Sequence, residues 1–314
     1  MHPITRRGFI GGAAGAALAG TLGATTLGRA ATAANTYKPR YVLSTSLYGT
    51  LPVAEIADQV AALGCDGLDV WAGRWGNQRE QIDAMGQEAF AALLAQKRTR
   101  VCCYTCMDTG MNIKAEPPLR AMRKLGGDTV VAMLSSTGGD KDKRGDALRS
   151  AVRAQAEKLK PLIAVAGEAG AKLAIENHSG GVLATREAIL WLMETIPEKH
   201  VGLALAPYHL PQEPETLGRL VADLGERLKF FYAWQHGDGS GEIPPPQQRR
   251  QLPGVGPLDF KPMLAALKRQ RYAGWFSIFM HPTPRGAPVH PTLAETTREL
   301  QRAHAFIASE LEKV

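Results

Sequence analysis

Cysteine is scarce in this 314-residue chain, with only four present, and three of them (Cys102, Cys103 and Cys106) crowd into one strand-like run. That count and placement argue against a disulfide framework. Cys103 and Cys106 have a CxxC spacing, but there is no second CxxC to complete a zinc cage, and residues three apart in a strand point to opposite faces. Buried small hydrophobes are the simpler account, with a redox pair or metal clip as the alternative. No polybasic run or basic-aromatic interleave occurs, so nucleic acid is not implied as a partner. No glycine-rich loop follows the first strand-like run, which excludes the dinucleotide fingerprint and leaves a phosphorylated substrate unsupported.

The N-terminus is a separate matter. Thr5-Arg6-Arg7-Gly8-Phe9-Ile10, followed by a Gly/Ala/Leu stretch to Gly28, has the layout of a twin-arginine export signal. Ala31-Thr32-Ala33 supplies a small-residue cleavage pattern, so residues 1–33 read as a signal peptide and 34–314 as the mature domain. Gly and Thr interrupt the apolar stretch too often for a permanent membrane helix. The expectation is a periplasmic or extracellular protein that has the export machinery as one partner. Cleavage removes Arg6, Arg7 and Arg29 with no acidic residue, which leaves the mature chain mildly basic.

No linker or composition break divides the mature chain, so one domain is expected. Apolar strand-like runs alternate with longer amphipathic stretches. Strands are predicted near 41–46, 67–71, 100–105, 128–134, 172–176, 201–206, 229–235 and 274–280. Helices are predicted near 53–63, 80–97, 116–125, 145–169, 184–194, 214–225, 258–269 and 292–311. Eight such units in this length give an α/β protein with a single (β/α)8 TIM barrel, in which loops after the strands build the functional face. The irregular segment Gly237 to Pro257, with Pro244-Pro245-Pro246, follows strand seven and is read as a lid or a plain surface loop.

The chemistry-bearing residues sit at strand ends. Strand five closes on Glu176-Asn177-His178, strand six runs from Val201 to His209, and strand seven ends in Trp234-Gln235-His236. Together with Gly64-Cys65-Asp66-Gly67-Leu68-Asp69 and the Gly254 to Phe260 stretch, these motifs resemble the sugar phosphate isomerase/epimerase group, the xylose isomerase-like TIM barrels. The resemblance implies a divalent metal held by a glutamate, an aspartate, a histidine and a second glutamate on strands five to eight. Glu176 and His236 match that pattern, but Ala206 and Phe279 stand where the aspartate and second glutamate would be.

Because residues two apart on a strand share a face, His281 faces the same way as Phe279, and His209 lies just beyond Ala206. The expected metal ligands are therefore Glu176, His236 and His209, a set suited to manganese, zinc, iron or cobalt. His178 and His209 could instead orient a carboxylate or a sugar hydroxyl. The resemblance implies carbonyl or polyol chemistry on a small carbohydrate, with Glu176 as base or ligand and His281 as its catalytic partner. Trp71 and Trp234, with Tyr48, Trp75 and Tyr208, suit the C–H face of a sugar ring. Arg285 and Arg74 suit an anionic substituent. His178, His209 and Arg285 complete the expected substrate contacts. A non-catalytic sugar-binding barrel and a lyase on oxidised sugars are the alternatives, and a homo-oligomer is left open.

Overall fold

The computed structural model describes residues 37–107, 115–134, 139–236 and 247–314. The expected signal peptide, and Pro244-Pro245-Pro246 of the expected lid, lie outside the described residues.

Eight parallel strands close into a barrel in chain order: β1 Arg40–Ser44, β2 Gly67–Val70, β3 Val101–Cys106, β4 Thr129–Met133, β5 Lys172–Glu176, β6 Val201–Leu205, β7 Leu228–Ala233 and β8 Trp275–Ile278. Each strand is buried almost throughout, because in a parallel barrel one face meets the lumen and the other the helices. Outward residues such as Tyr41, Phe231 and Phe276 pack beneath the helices, with ring centroids 5.0 to 5.1 Å apart. Among the described residues, no helix is long and apolar enough to cross a membrane.

The helical layer, which starts with α1 Val53–Ala62, follows the predicted spans with instructive exceptions. The stretch expected as one helix over 80–97 is two, α2 Gln78–Met85 and α3 Gln87–Lys97, because Gly86 takes a φ of 86° that ends the first and starts the second. The helix expected at 116–125 is α4 Glu116–Ala121 followed by a 3-10 turn. The helix expected from 258 begins at Lys261, where the Asp259 carboxylate accepts the Lys261 N–H at 2.9 Å. Gly202 on β6 has a packing reason: a Cβ there would sit 2.0 Å from the Arg227 carbonyl oxygen.

The N-terminal end of the barrel is plugged. Arg40 lies 4.0 Å over the Trp275 ring, Trp275 Nε1 donates to Asp128 at 2.9 Å, and Lys172 pairs with Asp128 at 2.7 Å. The opposite end carries the loops after the strands, where functional residues of such barrels gather.

Candidate active site

The lumen is unusually polar for a barrel core. Asp69, on β2 opposite Ser44 in register, is fully buried. It accepts hydrogen bonds from Ser44 Oγ at 2.6 Å, Thr105 Oγ1 at 2.7 Å and Trp71 Nε1 at 2.7 Å. Ser44 also reaches Ser277 Oγ on β8 at 3.0 Å. Three good donors satisfy this carboxyl, although burial still pushes its pKa above the ordinary range.

Glu176 ends β5 and is only 2% exposed. In contrast to Asp69, its Oε2 has no hydrogen-bond partner among the described residues. Burial pushes its pKa up to about 8, the nearby Asp69 charge adds to the rise, and the Tyr232 phenol opposes it. His209 Nε2 lies 3.9 Å from Glu176 Oε1, and Ser179 Oγ is 3.3 Å from His209 Nδ1. Burial holds His209 well below its ordinary pKa, with His178, His281, Arg285 and His236 adding to the effect, so the ring is neutral.

The histidines at the ends of β5, β6 and β8 lie near one another, with Arg285 close by. His178 stacks on His209 with centroids 4.0 Å apart, and its Nδ1 accepts the Gly180 N–H at 3.2 Å. His281 is buried with its ring edge-on to Trp71, Trp234 and Phe279. Burial lowers the His281 pKa well below normal, and Arg285, His178 and Arg74 add to this, which places Arg285 at the same mouth. His236 packs on Tyr208 at 4.9 Å, and its backbone N–H donates to Gln212 Oε1 at 2.9 Å.

The aromatic residues form a continuous arc. Trp71 stacks on Phe279, Phe279 meets Trp234 edge-on, and Trp234 stacks on Tyr208 at 4.1 Å. Trp71 and Trp234 are each 1% exposed, and their indole N–H groups are committed to Asp69 and Gln251. Of the other rings expected there, Tyr48 turns its hydroxyl to Thr297 at 2.8 Å, and Trp75 lies under Arg74. Gln251 ties the ends of β7 and β8 together. Its Oε1 accepts from Trp234 Nε1 at 2.8 Å and from the His281 backbone N–H at 3.1 Å, and its Nε2 donates to the His281 carbonyl at 3.0 Å.

The expected metal set does not assemble. No group of three or more His, Cys, Asp or Glu among the described residues is placed to hold a metal ion, so Glu176, His236 and His209 do not form one. The reason is local: His236 and His209 both pack against Tyr208, and the Phe279 ring fills space between Trp71 and Trp234. Ala206 brings no ligand either. Its backbone N–H and C=O are both paired with the Asn177 amide, at 2.8 and 3.0 Å. None of the four cysteines, all of them among the described residues, is in a disulfide. On β3, Thr105 bonds Asp69 in the lumen, whereas Tyr104 lines an outer pocket beside α2 to α4, so Cys103 and Cys106 lie on opposite faces.

Thr105, Gln251 and Tyr232 are residues that the motif reading missed, and Asp69, which stood in the Gly64 to Asp69 motif, was given no role there. Tyr232 was within reach of the strand period, two residues before Trp234 on the same run. Gln251 sits in a proline-rich irregular segment and carries no periodic signal.

Comparisons with known proteins fit this architecture. No curated protein matches the chain. Among solved structures, the 3-keto-D-glucoside 4-epimerase from E. coli is similar with a TM-score of 0.63 at 16% identity, covering 87% of this chain and 100% of that one. The D-allulose 3-epimerase from Methylomonas sp. gives 0.61 at 18% identity, over 88% and 100%. The D-psicose 3-epimerase from Clostridium cellulolyticum H10, solved with D-tagatose, gives 0.64 at 15% identity, over 87% and 99%. At these identities the likeness is one of fold. The family model described as xylose isomerase-like TIM barrel matches residues 57–303, and the chain belongs to that family.

Proposed function

We propose that this chain is a sugar isomerase/epimerase-like enzyme that moves a proton next to the carbonyl of a carbohydrate or keto-sugar. The observation that carries this reading is Glu176: a buried carboxyl at a strand end of the barrel mouth, with one oxygen unpartnered among the described residues and a pKa pushed up to about 8. A base poised near the working pH combines a useful ionised fraction with a strong pull on the proton. Family membership and the likeness to sugar epimerases support the substrate class. The twin-arginine motif supports export to the periplasm or beyond.

In this reading ionised Glu176 takes the proton from the carbon beside the carbonyl and returns it to the neighbouring carbon. Neutral His209, at 3.9 Å, carries the proton that moves between the oxygens, and His281 donates to the developing oxyanion. Phe279 occupies the place of a second acid, so proton transfer on one face suits this mouth better than epimerisation by two carboxylates. Elimination on an oxidised sugar needs one base as well and is the related alternative. The divalent metal that the resemblance implied does not fit the described residues, and these steps use the chain's own groups.

The test is to incubate D-fructose, D-allulose and D-tagatose with the protein in D2O and follow exchange by NMR. Deuterium entering beside the carbonyl supports the reading. The substitutions Ala206 and Phe279 favour one rival, a non-catalytic periplasmic sugar-binding barrel. A ligand-dependent thermal shift without exchange would select that rival.

A further inference from the structure

One polar group in the lumen has no use in the steps above. Tyr232 on β7 is 1% exposed and packs its ring on Phe230 at 4.5 Å and Phe279 at 5.1 Å. Its hydroxyl is buried with no hydrogen-bond partner among the described residues, as is Oε2 of Glu176. The phenol is near enough to Glu176 and Thr105 to influence charge there, yet meets neither with hydrogen-bond geometry. Thr105 spends its proton on Asp69.

An unmade hydrogen bond on a buried polar atom is costly, and native interiors rarely keep one without a role. Here a donor and an acceptor are left open beside each other, in a lumen where Asp69 shows that full satisfaction is attainable. A phenol O–H can donate and a carboxylate oxygen can accept, so the pair is complementary to an alcohol group, which does both. We propose that Tyr232 is a ligand-recognising residue of the Glu176 site: its hydroxyl donates to an alcohol oxygen of a polyol ligand, while that alcohol donates to Glu176 Oε2. The assignment rests on the reading of this mouth as a carbohydrate site. It predicts that the site selects for a hydroxyl at one position of the ligand, because an analogue lacking it leaves both buried atoms unpaired.

The experiment is isothermal titration of D-fructose, D-allulose and D-tagatose into the wild-type protein and Tyr232→Phe, with Tm measured for both. The expected result is a ketose that binds wild type and binds Tyr232→Phe about tenfold more weakly, the value of one hydrogen bond. Tm should be unchanged or higher, since the substitution removes an unpaired buried hydroxyl. Equal affinity in the two proteins overturns the role of Tyr232 and leaves the carbohydrate site standing. A large fall in Tm with the loss of affinity makes Tyr232 a structural residue and also overturns it. Failure of wild type to bind any of the three sugars removes the carbohydrate reading and this assignment together.

Discussion

The Phe279 ring lies nearly flat on Trp71, with centroids 5.0 Å apart and planes inclined by 18°, and the same ring meets Trp234 edge-on at 5.0 Å. A side chain so enclosed is a packing element of the mouth. Phe279→Ala should therefore cost about 3–5 kcal/mol of stability, as buried Phe truncations do. Urea unfolding measures this, and a loss below 1 kcal/mol would mean that the ring is not packed as described.

The same position bears on metal. Phe279→Glu with Ala206→Asp supplies the two acids that the resemblance implied beside Glu176 and His236, and the double variant should take up a divalent metal more tightly than wild type. Elemental analysis after dialysis against manganese reads the difference. Equal, stoichiometric uptake by wild type would show that the site was never dismantled.

Gln251 should be a stability residue that holds the frame of the mouth. Its side chain holds Trp234 Nε1 and both backbone groups of His281. Gln251→Ala leaves these buried groups unpaired, which should cost about 2–4 kcal/mol. Denaturant unfolding would show it, and Gln251→Glu should recover only part, because a carboxylate cannot donate to the His281 carbonyl.

Glu176 couples the site to pH. Its folded pKa of about 8 lies above the ordinary carboxyl value, so between the two the folded protein binds a proton that the unfolded chain has lost. Stability attributable to this group is complete below the ordinary carboxyl range, falls as pH rises, and is lowest above about 8. The full penalty is roughly 5 kcal/mol by linkage. Glu176→Gln, which cannot ionise, should match wild type in Tm near pH 4 and exceed it by several degrees near pH 9. Parallel Tm curves across that range would contradict the burial of an ionisable Glu176.

Much of the barrel was legible because strand and helix periods are local properties. All eight strands begin within one residue of their predicted starts, and β1, β7 and β8 stop two residues before their predicted ends while the other five end within one. Gly86 was not read as a break because a helical pattern continues on both sides of it. The nearness of Glu176, His209 and His281 was legible because strand ends and alternation are fixed by the fold. The metal set was not, because whether three ligands meet depends on where Tyr208, Trp234 and Phe279 place their rings. Tyr232 and Asp69 escaped for a related reason: whether a polar side chain in a lumen is satisfied depends on partners from other strands.

The central claim is that Glu176 is the base of a proton transfer beside a sugar carbonyl. Its most direct test is the rate of deuterium exchange into D-fructose, D-allulose and D-tagatose, measured from pH 6 to 10 for wild type and Glu176→Gln. The account predicts wild-type exchange that rises with pH and levels off above about 8, with a loss of at least two orders of magnitude in the variant at every pH. Exchange by Glu176→Gln at the wild-type rate would contradict it.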